Sequence, residues 1–319
     1  MSRLSTESLA IGIGAGALAL GKRRSALARL HAAFEPWAAP RSGRFTQTPA
    51  DTPADAVAGA TADKANTPNL TVEIDAALRY TEQGALDALR RALTGDAPVT
   101  TGTAGGAARA TRCAAIVLDD FWGNHAILRG DFRSMHARDV DEVARAYFAD
   151  VFGADAPAVS IRWQLRDDGR ALFASALSRA LLDGIGETCG AARVEVGSIR
   201  LGLQQMLNHV RGALTDRDGL LLVIDETMLH AVTIESGRWL AYDAQRVFPG
   251  ASGVAVPIAE VARHVFERSL VRHRHDCDVY LCGLAVDHGQ FDPYFDHVHP
   301  LTAHMSDQAP ARRLMELAQ

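Results

Sequence analysis

The residues nearest the start of the chain that could do chemistry are glycines. Gly14-Ala15-Gly16-Ala17-Leu18-Ala19 fits G-x-G-x-x-A, a turn that lets backbone amides approach a dinucleotide pyrophosphate. Glu35 stands about where a ribose-binding acid is expected. Gly16 to Lys22 also spells G-x-x-x-x-G-K, but Arg23 replaces the Ser or Thr that would bind magnesium, and the apolar Ala17-Leu18-Ala19-Leu20 makes a poor phosphate nest. The same glycines equally suit a strand–turn–strand in which they permit tight turns and close packing.

Metal-ligating types occur in two places. Cys277 and Cys282 have four residues between them, with His273 and His275 just upstream, an admissible zinc spacing. Cys282 closes an apolar run, where a free thiol acts as a small hydrophobe. Further on, Asp287, His288, Asp292, Asp296, His297 and His299 could collect a metal or form a solvated surface. Carboxylates pair at Asp119-Asp120 and Asp225-Glu226. Neighbours on a strand point to opposite faces, so Asp119 and Asp120 make a poor acid–base pair, while Asp225-Glu226 end an apolar strand and suit either an active site or a turn. No G-x-S-x-G occurs, so no nucleophile elbow is indicated.

These residues need elements to hold them. Leu9 to Ile13 reads as a first strand, and 27–34 as either its hairpin partner or a helix. Leu86, Leu89 and Leu93 recur at helical spacing, with Gly95 as the stop. Cys113–Leu118 and Asn124–Arg129 read as strands. Asp139 is the expected N-cap of a helix whose apolar stripe runs from Val140 to Val151 and ends at Gly153. Val159–Gln164 and Ala171–Ser175 flank an Asp168-Gly169 turn, and Ser178 caps the next helix. A short strand over 193–196 and a helix over 203–214 follow. Leu220–Asp225 is apolar throughout, hence buried on both faces. A meander continues through His230–Glu235 and Arg238–Asp243, then a helix from Ile258 and a strand over Asp278–Cys282. This mixture indicates α/β layers.

Composition narrows the options. The 319 residues carry 33 Lys+Arg against 38 Asp+Glu, a net charge of −5, which argues against sequence-independent nucleic-acid binding. With 48% hydrophobic residues, a packed core is expected. The apolar run Leu9–Leu20 falls short of the ~20 residues that span a bilayer, and its basic cluster follows it, unlike a signal peptide. Four cysteines make no disulfide scaffold, consistent with a reduced intracellular protein. Residues 38–69, rich in Ala, Thr, Pro and Asp, read as a disordered insert, and 97–110 as a shorter one.

Taken in order, the segments resemble the actin-like ATPase superfamily, in particular the pilus-assembly protein PilM and the cytoplasmic domain of the type II secretion protein GspL. Leu9-Ala10-Ile11-Gly12-Ile13-Gly14 is similar to the first phosphate loop. Residues 114–120 and the helix after Asp139 are similar to the small inserted αβ subdomain. Leu172 to Ile185 with Cys189-Gly190, and Val194 to Leu203, are similar to the strand–helix–turn and the strand entering the interdomain helix. Leu221–Asp225 through Arg238 resembles the second phosphate hairpin, and Val279–Gly283 the strand into the adenosine loop.

The resemblance implies an actin-like (ribonuclease H-like) two-lobed α/β fold with mixed sheets. Lobe I would cover 1–37 and 70–216, with an inserted subdomain at about 113–175. A reduced lobe II would cover 217–288, and 289–319 would be a tail. The departures imply a degenerate site. Gly12 stands where an Asp should organise magnesium, Asp225-Glu226-Thr227-Met228-Leu229-His230 replaces D-x-G, and Gly283 alone remains of the adenosine-loop glycines. The expectation is a non-catalytic adaptor with no catalytic residue, no metal and no cofactor, peripheral to the cytoplasmic face of a bacterial inner membrane. Its partner would be a PilN-like membrane subunit or a second copy of itself, in pilus or secretion assembly, with no span of its own and no nucleic acid. One alternative is an ATPase binding Mg-ATP through Gly12, Gly14, Gly16, Asp225 and Gly283. Another is a dinucleotide-binding oxidoreductase.

Overall fold

The computed structural model describes residues 7–23, 70–94, 112–153, 157–166, 168–247, 258–268 and 277–319. The two low-complexity stretches, the 27–34 segment, Glu35, Gly95, His273 and His275 lie outside the described residues.

Two five-stranded sheets share one topology. In the first, β1 (Glu7–Ile13) and β2 (Ala17–Lys22) form a hairpin, extended by β3 (Leu70–Glu73), while β4 (Arg112–Leu118) and β8 (Val194–Leu201) run parallel to β1 on its other side, giving the order β3-β2-β1-β4-β8. The second repeats this with β9 (Gly219–Ile224), β10 (Met228–Glu235), β11 (Arg238–Arg246), β12 (Asp278–Leu284) and β13 (His297–Ser306), in the order β11-β10-β9-β12-β13. A third sheet, β5 (Gly123–Arg129), β7 (Ala171–Ser178) and β6 (Val159–Leu165), is antiparallel.

Among the described residues, six helices cover these sheets: α1 (Glu82–Thr94), α2 (Ala137–Phe152), α3 (Arg179–Ala191), α4 (Gly202–Val210), α5 (Ile258–Arg268) and α6 (Pro310–Leu317). On β1 the large residues Leu9, Ile11 and Ile13 bury against Leu89 of α1 and Leu181 and Ile185 of α3. The small Ala10, with Ala19, Ala115 and Val117 of the neighbouring strands, meets Ala311, Leu314 and Met315 of α6. Strand β9 is buried on both sides, as its unbroken apolar run predicts: Leu220, Leu222 and Ile224 face α5, and Leu221 and Val223 face α4.

Three sequence expectations change. Asp139 does not cap α2. His136 is the N-cap, and Asp139, three residues in, accepts from the His136 amide at 3.3 Å. The inserted subdomain is built from β5, α2, β6 and β7, and the strand at 112–118 belongs to the first sheet because it pairs β1 residue for residue. Residues 289–319 are structural, not a tail. β13 pairs parallel to β12 and completes the second sheet, and α6 crosses to the first, so the second lobe does not end at residue 288.

Candidate functional site

Strands β1 and β4 of the first sheet and β9 of the second all end at the junction between lobes. Each lobe opens with a two-residue hairpin loop: the Gly14 amide donates to Ala17 O at 2.8 Å, and the Asp225 amide to Met228 O at 2.9 Å. Gly14 and Asp225 therefore hold equivalent places, and only the second is acidic.

Strand β4 stops at Leu118, and the chain turns into a short 3-10 segment, Asp120–Trp122, with Asp119 as its cap. This turn frees the adjacent carboxylates from strand alternation and buries both. Asp119 accepts from the Phe121 amide at 2.8 Å and, across the lobe boundary, from the Thr227 hydroxyl at 3.3 Å. Asp120 is more central. Its Oδ2 accepts from the Leu203 amide at 2.6 Å, at the N-terminus of α4, where the helix dipole favours an anion. Its Oδ1 lies 2.6 Å from His125 Nε2. Gln204 Nε2 donates to Ser175 Oγ at 2.9 Å, which leaves the serine proton for His125 Nδ1 at 2.8 Å and places the imidazole proton on Nε2, facing Asp120.

The second lobe supplies Asp225 at the end of β9 and His230 on β10. His230 Nδ1 is hydrogen-bonded to the Tyr242 hydroxyl at 2.9 Å. His230 Nε2 stands 3.5 Å from Asp225 Oδ2 and 4.0 Å from Asp120 Oδ2. Arg313 of α6 reaches between the lobes, ion-paired to Asp225 Oδ1 and 3.5 Å from Ile224 O. Burial sets the proton affinities here. It pushes Asp119 up to about 6, holds His230 below the ordinary imidazole value and works against the charge on Arg313. Burial, then the nearby Asp120 and Asp243 carboxylates, raises Tyr242 well above the phenol range. Among the described residues, Asp120, Asp225 and His230 form the group with metal-ligand geometry, one donor atom from each lying within 4.8 Å of the others.

Two of the glycines expected near a nucleotide, Gly12 and Gly283, are used for close backbone packing. A Cβ on Gly12 would overlap the carbonyl oxygen of Ala311 and the amide nitrogen of Met315, so α6 covers this position. Gly14 is in the β1–β2 turn, and Gly16 has open space around it. Gly283 has φ +106° at an irregularity in β12, and its missing side chain admits the backbone of Ile224. Asp225 lies at the junction, ion-paired to Arg313. After Gly16 the chain enters β2, not a helix, so neither dinucleotide fingerprint nor Walker-type loop has its structural context. Cys277 and Cys282 are free, buried thiols, and His299 pairs with Asp278 at 3.1 Å on the surface.

Sequence reasoning discounted Asp119-Asp120 and passed over His125, His230 and Arg313. A visible signal is His230, a histidine inside a largely apolar strand.

No family model matches the chain, and no curated protein matches it. Solved structures do. A protein of unknown function with an actin-like ATPase fold from Bacteroides thetaiotaomicron superposes with TM-score 0.54 at 8% identity, over 99% of each chain. The cytoplasmic domain of EpsL, an inner membrane component of the Vibrio cholerae type II secretion system, aligns with TM-score 0.47 at 7% identity, covering 98% of this chain and 94% of that one. A PilM–PilN type IV pilus biogenesis complex aligns with TM-score 0.49 at 13% identity, covering 98% and 95%. The chain has the actin-like ATPase fold. No helix among the described residues is long and apolar enough to cross a membrane.

Proposed function

We propose that this chain is a non-catalytic actin-like scaffold in which a clasp of buried side chains occupies the junction where actin-like ATPases hold nucleotide. The observation that carries this is Arg313. It brings a cation of the protein's own to Asp225, from a helix whose backbone also covers Gly12. A magnesium nucleotide needs bare amides and open carboxylates. The residues here do not fit it: the Gly14 amide is spent in its hairpin, Asp225 is ion-paired, and Thr227 and His230 are buried. On this reading the protein is an adaptor that positions partners. The segment resemblance supports a place at the cytoplasmic face of a bacterial inner membrane, in pilus or type II secretion-like assembly, with a PilN-like membrane subunit as the partner gripped.

Calorimetry of the full chain with Mg-ATP tests the first half. No saturable heat is expected, and micromolar binding that Asp225→Ala abolishes would overturn the scaffold reading. Affinity capture from cross-linked membranes tests the second. Recovery of a single-span inner-membrane subunit is expected, and recovery of soluble enzymes alone would refute the assembly role.

A further inference from the structure

His230 Nε2 is fully buried and has no hydrogen-bond partner. A buried polar atom without a partner is costly, and one aimed between two carboxylates calls for an explanation. Its neighbours are too distant for good hydrogen bonds: 3.5 Å to Asp225 Oδ2 and 4.0 Å to Asp120 Oδ2. Bonds of about 2.0–2.2 Å separate tetrahedral ligand atoms by roughly 3.3–3.6 Å, so the 3.5 Å to Asp225 Oδ2 matches a cation held between the two, and the 4.0 Å to Asp120 Oδ2 would close by a few tenths of an ångström on loading. The outer atoms are already engaged. Asp120 Oδ1 faces His125, Asp225 Oδ1 faces Arg313, and His230 Nδ1 faces the Tyr242 hydroxyl. Each ligand is thus oriented from behind, with its other donor atom turned to a common centre, as outer-shell partners orient metal ligands.

We infer that Asp120 Oδ2, Asp225 Oδ2 and His230 Nε2 form a divalent-cation site that ties the two lobes together. Asp120 Oδ2 also accepts from the Leu203 amide, which leaves it a lone pair for the metal. The donor set of one imidazole and two carboxylates, in a buried setting, selects a borderline transition cation such as zinc or cobalt(II). Magnesium prefers six oxygens and retains its waters. Charge agrees: Asp119, Asp120 and Asp225 converge here against one guanidinium, Arg313. The ligands come from the turn after β4, the end of β9 and β10, so loading fastens lobe to lobe and requires no phosphate.

The test uses the full, tag-free chain, stripped with chelator and titrated with cobalt(II) in the absence of nucleotide. The readouts are visible absorption, calorimetry and thermal unfolding. One cobalt per chain is expected, with ligand-field bands, displacement by zinc and a raised melting temperature. His230→Gln should weaken binding at least a hundredfold. Tyr242→Phe keeps all three ligands and guards against a folding failure; it should weaken binding less, by about tenfold. His299→Ala, at the exposed Asp278 pair, should change nothing. Absence of cobalt binding, binding unaltered by His230→Gln, or binding lost only with His299→Ala would each overturn the site. Cobalt binding that appears only with added ATP would assign the cation to a nucleotide, overturning both this site and the scaffold reading. Mg-ATP binding alongside nucleotide-free cobalt binding would overturn the scaffold reading only.

Discussion

Replacing Gly12 by Ala tests the central packing claim. The added methyl would sit 2.9 Å from the carbonyl carbon of Leu314 and closer still to Ala311 O and Met315 N. Those atoms are helix backbone, which cannot rotate aside like a side-chain tip. To restore ordinary contact near 3.5 Å, α6 must retreat from β1 by about 1 Å, loosening the contacts of Ala311, Leu314, Met315 and Ala318 together. Overpacking of this kind costs about 1–3 kcal/mol, and a rigid opponent puts Gly12→Ala near the top, about 3 kcal/mol. At roughly 2–4 °C per kcal/mol, the melting temperature should fall by about 6–12 °C. Urea unfolding measures the loss, and amide exchange should show reduced protection through α6. Gly16→Ala, with nothing within 4 Å of the new methyl, is the control and should stay within about 0.5 kcal/mol. A Gly12→Ala protein as stable as the Gly16→Ala control, with α6 fully protected, would refute the reasoning. Gly12→Asp meets the same obstruction, so restoring the acid should not restore nucleotide binding.

Two further outcomes follow from the same junction and from the sheets around it. Arg313→Ala leaves buried carboxylates without their cation and should cost about 3–5 kcal/mol, part of it recovered in the Arg313→Ala/Asp225→Asn double variant; a loss under about 1 kcal/mol by urea melting would mean that the pair is dispensable. Burial pushes the Cys189 and Cys277 thiols up to about 11 and Cys282 further, so at pH 8 only the half-buried Cys113 should react with a disulfide reagent in the folded protein. The sign is fixed: these groups fold as neutral thiols, so their contribution is whole below the unfolded thiol value and is lost as pH rises from about 9 to about 11. Rapid labelling of more than one thiol at pH 8, or stability that increases over that alkaline range, would contradict it.

Much of the fold was legible because its signals are local. Alternating large and small residues in Leu9–Ile13, the unbroken apolar run of β9, the Ser178 cap and the Gly153 and Gly169 turns each depend on a few neighbours, and each is where the sequence indicates. The candidate site was less legible because it is made of distant contacts. Strand alternation predicts opposite faces for Asp119 and Asp120, and fails because β4 ends one residue earlier and the backbone turns. Gly12 resembles a lost catalytic position from its motif alone, whereas its cause is a helix some three hundred residues away. Arg313 follows a second arginine, Arg312, in a segment that reads as a solvated tail, and nothing local announces that it is 6% exposed. The 289–319 segment misled for a related reason: β13 draws its stability from β12, not from its own composition.

The reach of α6 also sets an order on synthesis. The small-residue face of the first sheet, Ala10, Gly12, Ala19 and Ala115, is made early but finds its cover only after residues 310–317 have left the ribosome. Until then that face stays open, and contacts of such long sequence separation form slowly even afterwards. The nascent chain therefore carries an uncovered sheet from the completion of β8 at Leu201 until Pro310–Leu317 is made. Interruption before residue 310 would leave a first lobe in which every strand is present and one face remains bare, the kind of intermediate that chaperones recognise.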